Sequence, residues 1–487
     1  MKRAARLIAL SALVATGLAP AIAVTARTAA SAARTPSTAR AAATGSHARP
    51  GAVPGGTELW VRRFTGRTGR SAFGSGVAAS PDGSVVYVTG TTGQQLTGKA
   101  RAYTTVAYNV GTGAILWQAH FQGANGHFPF GGFDSAEPFI KVSPDGSTVV
   151  VVGAIKDNVN FYLILAYNAH TGAQLWTAEP VQATGFLAQG QPVAVSPDSS
   201  TVYVTGTPRG HGPIAYRTIA LNAATGAQVW VATTSFPPLF RHQATAIAAS
   251  PDGSAVFVTG QNGTVALNAS TGAALWQDNY KLRWSRSPGA LAVSPTSSIV
   301  YVTGSAQIGG HRSVLTIAYN AATGARVWRA IYEGPGDRTG GSRGLDLSPD
   351  GSKLVITASL FRTDGTQEFN TLGYDAATGA RLWSATYAGP PKRNAIPEAI
   401  AISPDGSAVF VTGFVDTPSA VQYATVDYAT ATGAQLWQAR LTGLPSASTI
   451  PLSVTVSPDS SKVFVTGDSS QSPVWGPSEY LTVAYSA

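Results

Sequence analysis

A short motif, Thr-Gly-x-x-x-Trp, recurs along this chain and constrains its fold more than any other feature. One copy reads Asn-Ala-Ala-Thr-Gly-Ala-Gln-Val-Trp at Asn222–Trp230, and a degenerate copy is present at Gly56–Trp60. Self-similarity at a period of about 54 residues indicates a repeat architecture in which each unit packs on its neighbours. The complete motifs are Thr112–Trp117, Thr171–Trp176, Thr225–Trp230, Thr271–Trp276, Thr323–Trp328, Thr378–Trp383 and Thr432–Trp437.

A second marker, Ser-Pro-Asp-Gly-Ser or a close variant, occurs once in every unit. Pro presets φ at the first turn position, Asp bonds the local backbone, and Gly accepts positive φ, so this marker predicts a hairpin turn. The copies start at Ser80, Ser143, Ser196, Ser250, Ser294, Ser348, Ser403 and Ser457.

Short apolar runs flank both markers, and together they predict four strands in each unit. The runs are apolar nearly throughout, as in Val149–Val152, so both faces of each small sheet must be covered. We therefore predict an all-β fold, an eight-bladed β-propeller with four antiparallel strands per blade. A lone fourth strand, Glu58–Phe64, opens the ordered region, and a third strand, Tyr480–Tyr485, ends it. Pairing these two strands completes the eighth blade and closes the ring.

The repeated tryptophan predicts contacts between blades. At the start of an outer strand, its ring can pack on the adjacent blade while its N–H reaches a backbone carbonyl, and Gly permits the close approach. Recurrence in every unit favours this structural role over ligand stacking. The predicted docking residues are Trp60, Trp117, Trp176, Trp230, Trp276, Trp328, Trp383 and Trp437.

The pattern Ala/Asn-x-x-Thr-Gly-x-x-x-Trp resembles the tryptophan-docking motif of the quinoprotein (PQQ) dehydrogenase-like propellers, which include BamB-like scaffold proteins. The resemblance covers essentially all of residues 57–487. It implies that dehydrogenases of this type use an adjacent cysteine pair against the quinone and a Glu, Asn and Asp cluster around calcium. This chain contains no cysteine. We therefore expect no cofactor, and keep PQQ with calcium as the alternative.

The N-terminus reads as a secretory signal followed by a spacer. A basic start precedes an apolar run and small residues, which predicts a signal peptide over residues 1–32. Residues 33–56 are rich in Ala, Thr and Pro, and we predict a disordered spacer. The propeller is assigned to 57–487. We expect a secreted protein, extracellular or associated with the cell envelope, without a transmembrane segment once the signal is removed.

The net charge of +9 lies mostly in the N-terminal segment. Residues 1–50 contribute seven of these charges, which leaves +2 for residues 51–487. A nearly neutral body argues against nucleic-acid binding, which needs a concentrated basic surface. We expect an unknown protein or glycan as the partner, and a monomeric chain.

Two charged residues stand out in the innermost predicted strands. The aligned position is Ala in five units and Thr in one, but Lys141 in unit two and Asp346 in unit six. These units lie on opposite sides of the ring, so the two charges are expected to be too far apart to pair directly. Either they are satisfied structural charges, or they form a polar lining for a ligand in the central channel.

The connections on one face vary in length and carry aromatic and Arg side chains. Such side chains on loops over a rigid scaffold suit recognition, although loops of this kind also serve simply to cap the ring. The candidate contact residues are Phe128, Phe130, Phe133, Phe240, Arg241, His242, Trp284, Arg286, Arg338, Arg343, Arg393 and Trp475.

No catalytic residue is assigned from the sequence. Three close carboxylate pairs fall in polar loops, where solvated acids are the rule: Asp134/Glu137, Glu333/Asp337 and Asp364/Glu368. The His spacing does not suit a metal. The sequence thus favours a non-catalytic binding scaffold. Two alternatives stay open, a divergent PQQ- or calcium-dependent oxidoreductase and a carbohydrate binder that uses Trp284 and Trp475.

Overall fold

The computed structural model describes most of the chain after residue 52. The described residues are 53–65, 71–93, 102–122, 128–130, 139–156, 160–179, 185–187, 192–208, 215–236, 243–280, 284–334, 339–444, 448–471 and 478–487. They all belong to one compact unit, Val53–Ala487. The predicted signal peptide and nearly all of the predicted spacer lie outside the described residues.

The described residues form eight sheets, which we number as blades in chain order. A single strand, β1 (Glu58–Phe64), precedes blade 1. Blade 1 contains β2 (Ala72–Ala79), β3 (Val85–Thr92), β4 (Ala102–Asn109) and β5 (Ile115–Phe121). Blade 2 contains β6 (Phe128–Phe130), β7 (Phe139–Val142), β8 (Thr148–Lys156), β9 (Asn160–Asn168) and β10 (Gln174–Ala178). Blade 3 contains β11 (Gly185–Leu187), β12 (Val193–Val195), β13 (Thr201–Pro208), β14 (Ala215–Asn222) and β15 (Gln228–Ser235).

The next three blades are regular four-stranded sheets. Blade 4 contains β16 (Ala244–Ala249), β17 (Ala255–Gly260), β18 (Gly263–Asn268) and β19 (Ala274–Asn279). Blade 5 contains β20 (Trp284–Val293), β21 (Ile299–Ile308), β22 (His311–Asn320) and β23 (Arg326–Tyr332). Blade 6 contains β24 (Thr339–Leu347), β25 (Lys353–Phe361), β26 (Gln367–Asp375) and β27 (Arg381–Tyr387).

The last two blades complete the ring. Blade 7 contains β28 (Ala395–Ile402), β29 (Ala408–Asp416), β30 (Val421–Ala429) and β31 (Gln435–Leu441), and blade 8 contains β32 (Ser448–Val456), β33 (Lys462–Ser470) and β34 (Ser478–Ser486) together with β1. Strand β1 pairs antiparallel with β34, with Phe64 opposite Tyr480. The predicted eight-bladed propeller and its closure by the N-terminal strand are therefore confirmed.

The hydrophobic core lies between blades. Val150 and Val152 of blade 2, for example, share one buried cluster with Val202 and Val204 of blade 3. Similar clusters bridge the other neighbouring blades, including blade 8 with blade 1. Because each sheet is covered on both sides, its middle strands are apolar on both faces, as the valine runs in the sequence indicate.

The first strand of each blade lies innermost. These strands contact their counterparts in both neighbouring blades all the way round, so they form the wall of an axial channel. In blades 2 and 3 the innermost position is shared by two short strands, β6 with β7 and β11 with β12. Each first strand runs from one face of the disc, where the variable connections emerge, to the other face, where the Ser-Pro-Asp turns lie. We call these the variable face and the turn face.

Candidate functional site

The turn face is built from hairpins whose polar groups are satisfied locally. Asp82 accepts hydrogen bonds from the Ser80 hydroxyl at 2.5 Å and from the Ser84 backbone N–H at 3.0 Å. These bonds, led by the one from Ser80, lower the pKa of Asp82. In the Thr-Gly turns, Asn222 Oδ1 likewise accepts the backbone N–H of Thr225 at 3.0 Å. Side chains that bond within their own turn are poorly available to a partner.

Seven of the tryptophans donate their indole N–H to a backbone carbonyl of the next blade. The pairs and their N···O distances are Trp60–Val110 3.0 Å, Trp117–Ala169 2.9 Å, Trp176–Ala223 2.7 Å, Trp230–Ala269 2.9 Å, Trp276–Ala321 2.7 Å, Trp328–Ala376 2.9 Å and Trp383–Thr430 2.9 Å. Trp437, at the seam between blades 7 and 8, has no acceptor among the described residues.

Each indole covers the glycine of a turn in the next blade. Gly226 has φ +71°, and a Cβ added there would lie 2.7 Å from Trp176 Cδ2, which is closer than real Cβ atoms approach. The contact therefore requires Gly both for its backbone conformation and for its missing side chain. Trp437 makes the equivalent contact with Gly55 and Gly56, which precede β1.

One aligned position on the inner strands is mostly small and neutral. Ala and Thr side chains occupy this position in six blades, at Ala78, Ala194, Ala248, Ala292, Ala401 and Thr455. Lys141 and Asp346 occupy it in blades 2 and 6, on opposite sides of the axis. The sequence prediction that they do not pair directly agrees with the geometry, since no ion pair joins them within the described residues.

Asp346 is held by backbone groups. Its Oδ1 accepts the N–H of Leu347 at 2.8 Å, and its Oδ2 accepts the N–H of Ile402 in blade 7 at 2.8 Å. Burial raises the pKa of Asp346, and the two N–H groups and Lys141 oppose that shift. Asp346 thus links the inner strands of blades 6 and 7.

Lys141 has no such support. Its side chain has solvent contact in the channel, and within the described part of the chain its ammonium group makes no hydrogen bond or ion pair. Protein surrounds it nevertheless, and this loss of hydration lowers the pKa of Lys141, while the charge of Asp346 across the channel raises it.

Nearer the variable face, a second pair of charges lines the channel. Arg343, predicted to lie in a loop, belongs to the inner strand β24, and its guanidinium lies 3.2 Å from Glu398 Oε2 of β28. Both side chains are partly buried, with 29% and 18% exposed. The Arg343–Glu398 pair joins the same two blades that Asp346 joins.

The connection from β27 to β28, on the variable face, is described in full. Arg393, one of the predicted contact residues, is exposed there beside exposed Lys392, whose φ is +60°. The base of the loop is fixed because Asn394 accepts the Gln367 N–H at 3.0 Å and donates to Asp416 at 3.1 Å. The tip therefore presents two cations from a rigid base.

The other predicted contact residues cannot be placed in this site. Phe128, Phe130, Trp284 and Arg286 lie in strands β6 and β20, but their side chains are outside what the structure describes. The remaining predicted residues lie outside the described residues altogether, and these are Phe133, Phe240, Arg241, His242, Arg338 and Trp475.

Blade 4 has short strands and a short connection on the variable face. Its four strands contain six residues each, and only Gln261 and Asn262 connect β17 to β18. The Tyr216 hydroxyl of blade 3 accepts the Asn262 N–H at 3.0 Å, which ties this short turn to its neighbour.

The sequence analysis did not identify two buried acidic residues, Asp427 and Asp468. Burial raises the pKa of Asp427 and of Asp468 to about 7. Asp427 lies opposite Trp437 in the β30–β31 ladder, at a position that is Ala in six blades and Gly in one. That exception is visible in the repeats once the third strands are aligned on their tryptophans.

Among the described residues, no helix has the length and apolar character needed to cross a membrane. The same residues contain no group of three or more His, Cys, Asp or Glu side chains placed to hold a metal ion.

A closed ring of four-stranded blades, each docked by a tryptophan on a glycine turn of the next, defines a β-propeller of the tryptophan-docking class. Within that class, the chain belongs to the family described as outer membrane protein assembly factor BamB, whose sequence model matches residues 50–278, 104–337 and 215–475. The predicted resemblance is therefore confirmed. No curated protein matches the sequence.

Solved structures share this fold at low identity. Sqt1 from Chaetomium thermophilum, bound to the N-terminus of ribosomal protein L10, is 12% identical, covers 88% of this chain and 100% of its own, and has a TM-score of 0.56. The quinohemoprotein alcohol dehydrogenase ADHIIG from Pseudomonas putida HK5 is 13% identical, with coverages of 88% and 76% and a TM-score of 0.52. BamB from Moraxella catarrhalis is 15% identical, with coverages of 88% and 99% and a TM-score of 0.48.

The described channel residues do not fit a PQQ–calcium site. Calcium needs oxygen ligands that are free to coordinate it. Both Asp346 oxygens already accept backbone N–H groups, and Glu398 is paired with Arg343. We therefore assign no chemical step to these residues through a quinone or a cation.

Proposed function

We propose that this protein is a secreted, non-catalytic scaffold that binds a partner protein through its variable face. The observation that carries the proposal is the loop between β27 and β28. Lys392 and Arg393 are exposed at its tip, and within the described residues neither cation has an acidic partner. A non-glycine residue at positive φ costs free energy, so its presence on an exposed, rigidly held loop favours a functional reason.

The loop tip favours an acidic partner segment. Lys392 and Arg393 are unpaired among the described residues, whereas Arg343, on the channel wall of the blade from which the loop departs, is already paired with Glu398. Arg is enriched at interface hot spots because its planar guanidinium binds carboxylates in a bidentate manner. The relative Sqt1, which has the same fold, is bound to the N-terminus of a ribosomal protein, which supports the use of such a propeller as a protein-binding platform.

The carbohydrate alternative rests on Trp284 and Trp475, whose side chains lie outside what the structure describes. It stays a prediction, and no described contact favours it over a protein partner.

An affinity capture from the native culture medium and cell envelope tests the proposal. The bait is the wild-type chain, a Lys392→Glu/Arg393→Glu variant, or a Lys462→Glu variant as a matched charge reversal on the turn face. We expect the same acidic protein on the wild type and on Lys462→Glu, released by salt, and at least about tenfold less on the double variant. Equal capture on all three baits would place the contact elsewhere.

Two further measurements test the remaining parts of the proposal. N-terminal sequencing of the extracellular protein should give a start after residue 23 or after residue 32. Addition of PQQ with calcium should leave the absorbance of the purified protein unchanged. Stoichiometric cofactor binding accompanied by dye reduction would replace the scaffold with an oxidoreductase.

A further inference from the structure

The outer strand of blade 5, β23, exposes an apolar side chain where the other blades have a polar one. Ile331, three residues after the docking Trp328, is 38% exposed. In the other seven blades the equivalent residues are all polar: Arg63, His120, Glu179, Thr233, Asn279, Thr386 and Arg440. Polar and charged side chains on an outer strand protect the sheet edge from pairing with another chain. Blade 5 lacks that protection at this position.

Two charged side chains flank Ile331 on the same side of the strand. Side chains alternate along a strand, and Trp328 and Ala330 pack against blade 6. Arg329, Ile331 and Glu333, which directly follows the strand, therefore lie on the opposite side, and all three are exposed. Within the described residues, neither Arg329 nor Glu333 forms an ion pair.

The two charges are also particular to blade 5. In the other blades the residue after the docking tryptophan is uncharged: Val61, Gln118, Thr177, Val231, Gln277, Ser384 and Gln438. The position of Glu333 is not acidic in any of them: Thr65, Gln122, Val181, Ser235, Lys281, Ala388 and Thr442. The fold therefore does not require Arg329, Ile331 or Glu333, and their presence together on one strand calls for another reason.

The outer edge of this strand can accept a further strand. Among the described strands, β23 pairs only with β22, so its other edge presents unpaired backbone N–H and C=O groups. Arg329 and Glu333 are four residues apart, about 13 Å on an extended strand, and do not neutralise each other. When two β23 strands pair antiparallel about Ile331, each Arg329 lies directly opposite Glu333 of the second copy. This register forms two ion pairs around one Ile–Ile contact.

We propose that β23 is a self-association edge, at which two copies of this chain pair their outer strands antiparallel in this register. The occupant is a second copy because the strand carries its own complement in charge, and the arrangement has the two-fold symmetry of most homodimers. One pair of edge strands is a small contact beside the roughly 1,200–2,000 Å² of a stable interface. We therefore expect a weak, reversible dimer with a Kd on the order of 100 µM, in place of the monomer expected from the sequence. This proposal and the variable-face contact do not depend on each other.

Sedimentation velocity of the purified full chain, from about 5 to 500 µM, tests the dimer. We expect the weight-average sedimentation coefficient to rise reversibly with concentration. Ile331→Thr introduces the residue found at this position in blades 3 and 6, so it should fold normally and associate about tenfold more weakly. Gln438→Glu, at an exposed position on the outer strand of blade 7, is the matched control and should associate like the wild type. A wild type that stays monomeric over the whole range would overturn the proposal.

Charge reversals test the register. Arg329→Glu alone and Glu333→Arg alone each place like charges opposite each other at both ends of the contact, so each should associate about tenfold more weakly. An equimolar mixture of these two variants restores opposite charges at both ends and should dimerise as strongly as the wild type. A loss of folding in either variant would not be reversed by mixing. A mixture that is no more dimeric than its components, or single variants as dimeric as the wild type, would overturn the proposal.

Hydrogen exchange locates the contact independently. The amides of β23 should exchange about threefold more slowly at 500 µM than at 5 µM, while those of β31 should not change. Concentration-dependent protection at another strand, with β23 unaffected, would show that the copies associate through a different surface and would contradict the proposal.

Discussion

The seam between blades 7 and 8 differs from the other seven. In an ordinary seam such as that between blades 3 and 4, Trp230 donates to Ala269 at 2.9 Å and covers the glycine of a continuous hairpin. At the closing seam, Trp437 covers Gly55 and Gly56, which belong to a different chain segment from β34. Hydrogen bonds replace the hairpin there, with the Gly56 N–H 2.9 Å from the Ser486 carbonyl oxygen.

The closing seam also collects buried polar atoms without partners. Within the described residues, Trp437 Nε1, Asp427 Oδ1 and the Tyr485 hydroxyl all lack one. Trp437 packs on Tyr485 with ring centroids 5.9 Å apart, and Asp427 lies opposite Trp437 in the ladder. Unpaired buried groups cost about 1–3 kcal/mol each, so we expect these three to weaken the closing seam.

Tryptophan truncation should separate the two kinds of seam most clearly. Trp230→Ala should lower the free energy of unfolding by about 3–5 kcal/mol, because it removes a large buried ring. Trp437→Ala should cost about 1 kcal/mol less, because no indole hydrogen bond is lost there. Urea unfolding followed by circular dichroism measures both, and equal losses would show that Trp437 is bonded as well as the others.

The second prediction concerns pH. Asp427 has an ordinary pKa near 4 when unfolded and about 7 when folded, so the unfolded state loses its proton first as pH rises. Stability should therefore fall between pH 4 and 7, by up to about 3–4 kcal/mol from this group. Asp468 in blade 8 acts in the same direction.

Asp427→Ala gives the seam the side chain found in six other blades and isolates the contribution of Asp427. Its gain in stability should be largest at pH 7 and above and smallest near pH 4, and the pH dependence should become shallower. Asp82→Ala is the control, because the pKa of Asp82 is lowered and its contribution is lost only below pH 4. A wild-type stability that rises steadily from pH 4 to 7 would contradict the assignment.

A methyl group added under the indole should also distinguish the seams. In Gly226→Ala the new Cβ meets Trp176 at 2.7 Å inside a closed hairpin with φ +71°, and we expect a loss of about 3 kcal/mol. Gly56→Ala places Cβ 2.8 Å from Trp437 Cε3, but the segment before β1 is held only by hydrogen bonds and can shift. Its loss should be smaller, and thermal unfolding measures the difference. A larger loss at Gly56 would show that the closing segment is the more rigid one.

How much of the structure could be predicted from the sequence depends on how far apart in the chain the interacting residues are. The Thr-Gly-x-x-x-Trp and Ser-Pro-Asp motifs act locally and recur, so they predicted the blade number, the turn face and the pairing of Glu58–Phe64 with the last blade. Contacts between strands roughly 55 residues apart could not be predicted, because no local sequence pattern specifies them. The pairing of Arg343 with Glu398 is of this kind.

The candidate site divides in the same way. Aligning the repeats was enough to single out Lys141 and Asp346, but only the structure shows that Asp346 is held by backbone N–H groups while Lys141 is not. Arg393 was predicted from composition, whereas the fixed base that Asn394 gives its loop depends on contacts with two other connections. Most of the aromatic candidates lie outside the described residues and stay predictions.

The smallest expected effect lies in the Ser-Pro-Asp turns, where Ser replaces Gly at positive φ in three blades. Ser460 has φ +57°, and its hydroxyl accepts the Asp405 N–H at 3.0 Å across the closing seam. Ser199, with φ +62°, makes the same bond to Asp145 across the seam between blades 2 and 3. Backbone strain and the hydrogen bond are each worth about 1 kcal/mol and oppose each other.

Ser460→Gly should therefore change the free energy of unfolding by less than about 0.5 kcal/mol, since it removes the strain and the bond together. Ser460→Ala keeps the strain and loses the bond, so it should cost about 1 kcal/mol. The same two substitutions at Ser199 are the matched pair for an ordinary seam. If the closing seam relies on its turn to offset the missing Trp437 bond, Ser460→Gly will be measurably destabilising while Ser199→Gly is not. Identical changes in the free energy of unfolding at both sites would show that the Ser-Pro-Asp turns stabilise these two seams equally. The weakness of the closing seam would then be confined to Trp437, Asp427 and Tyr485.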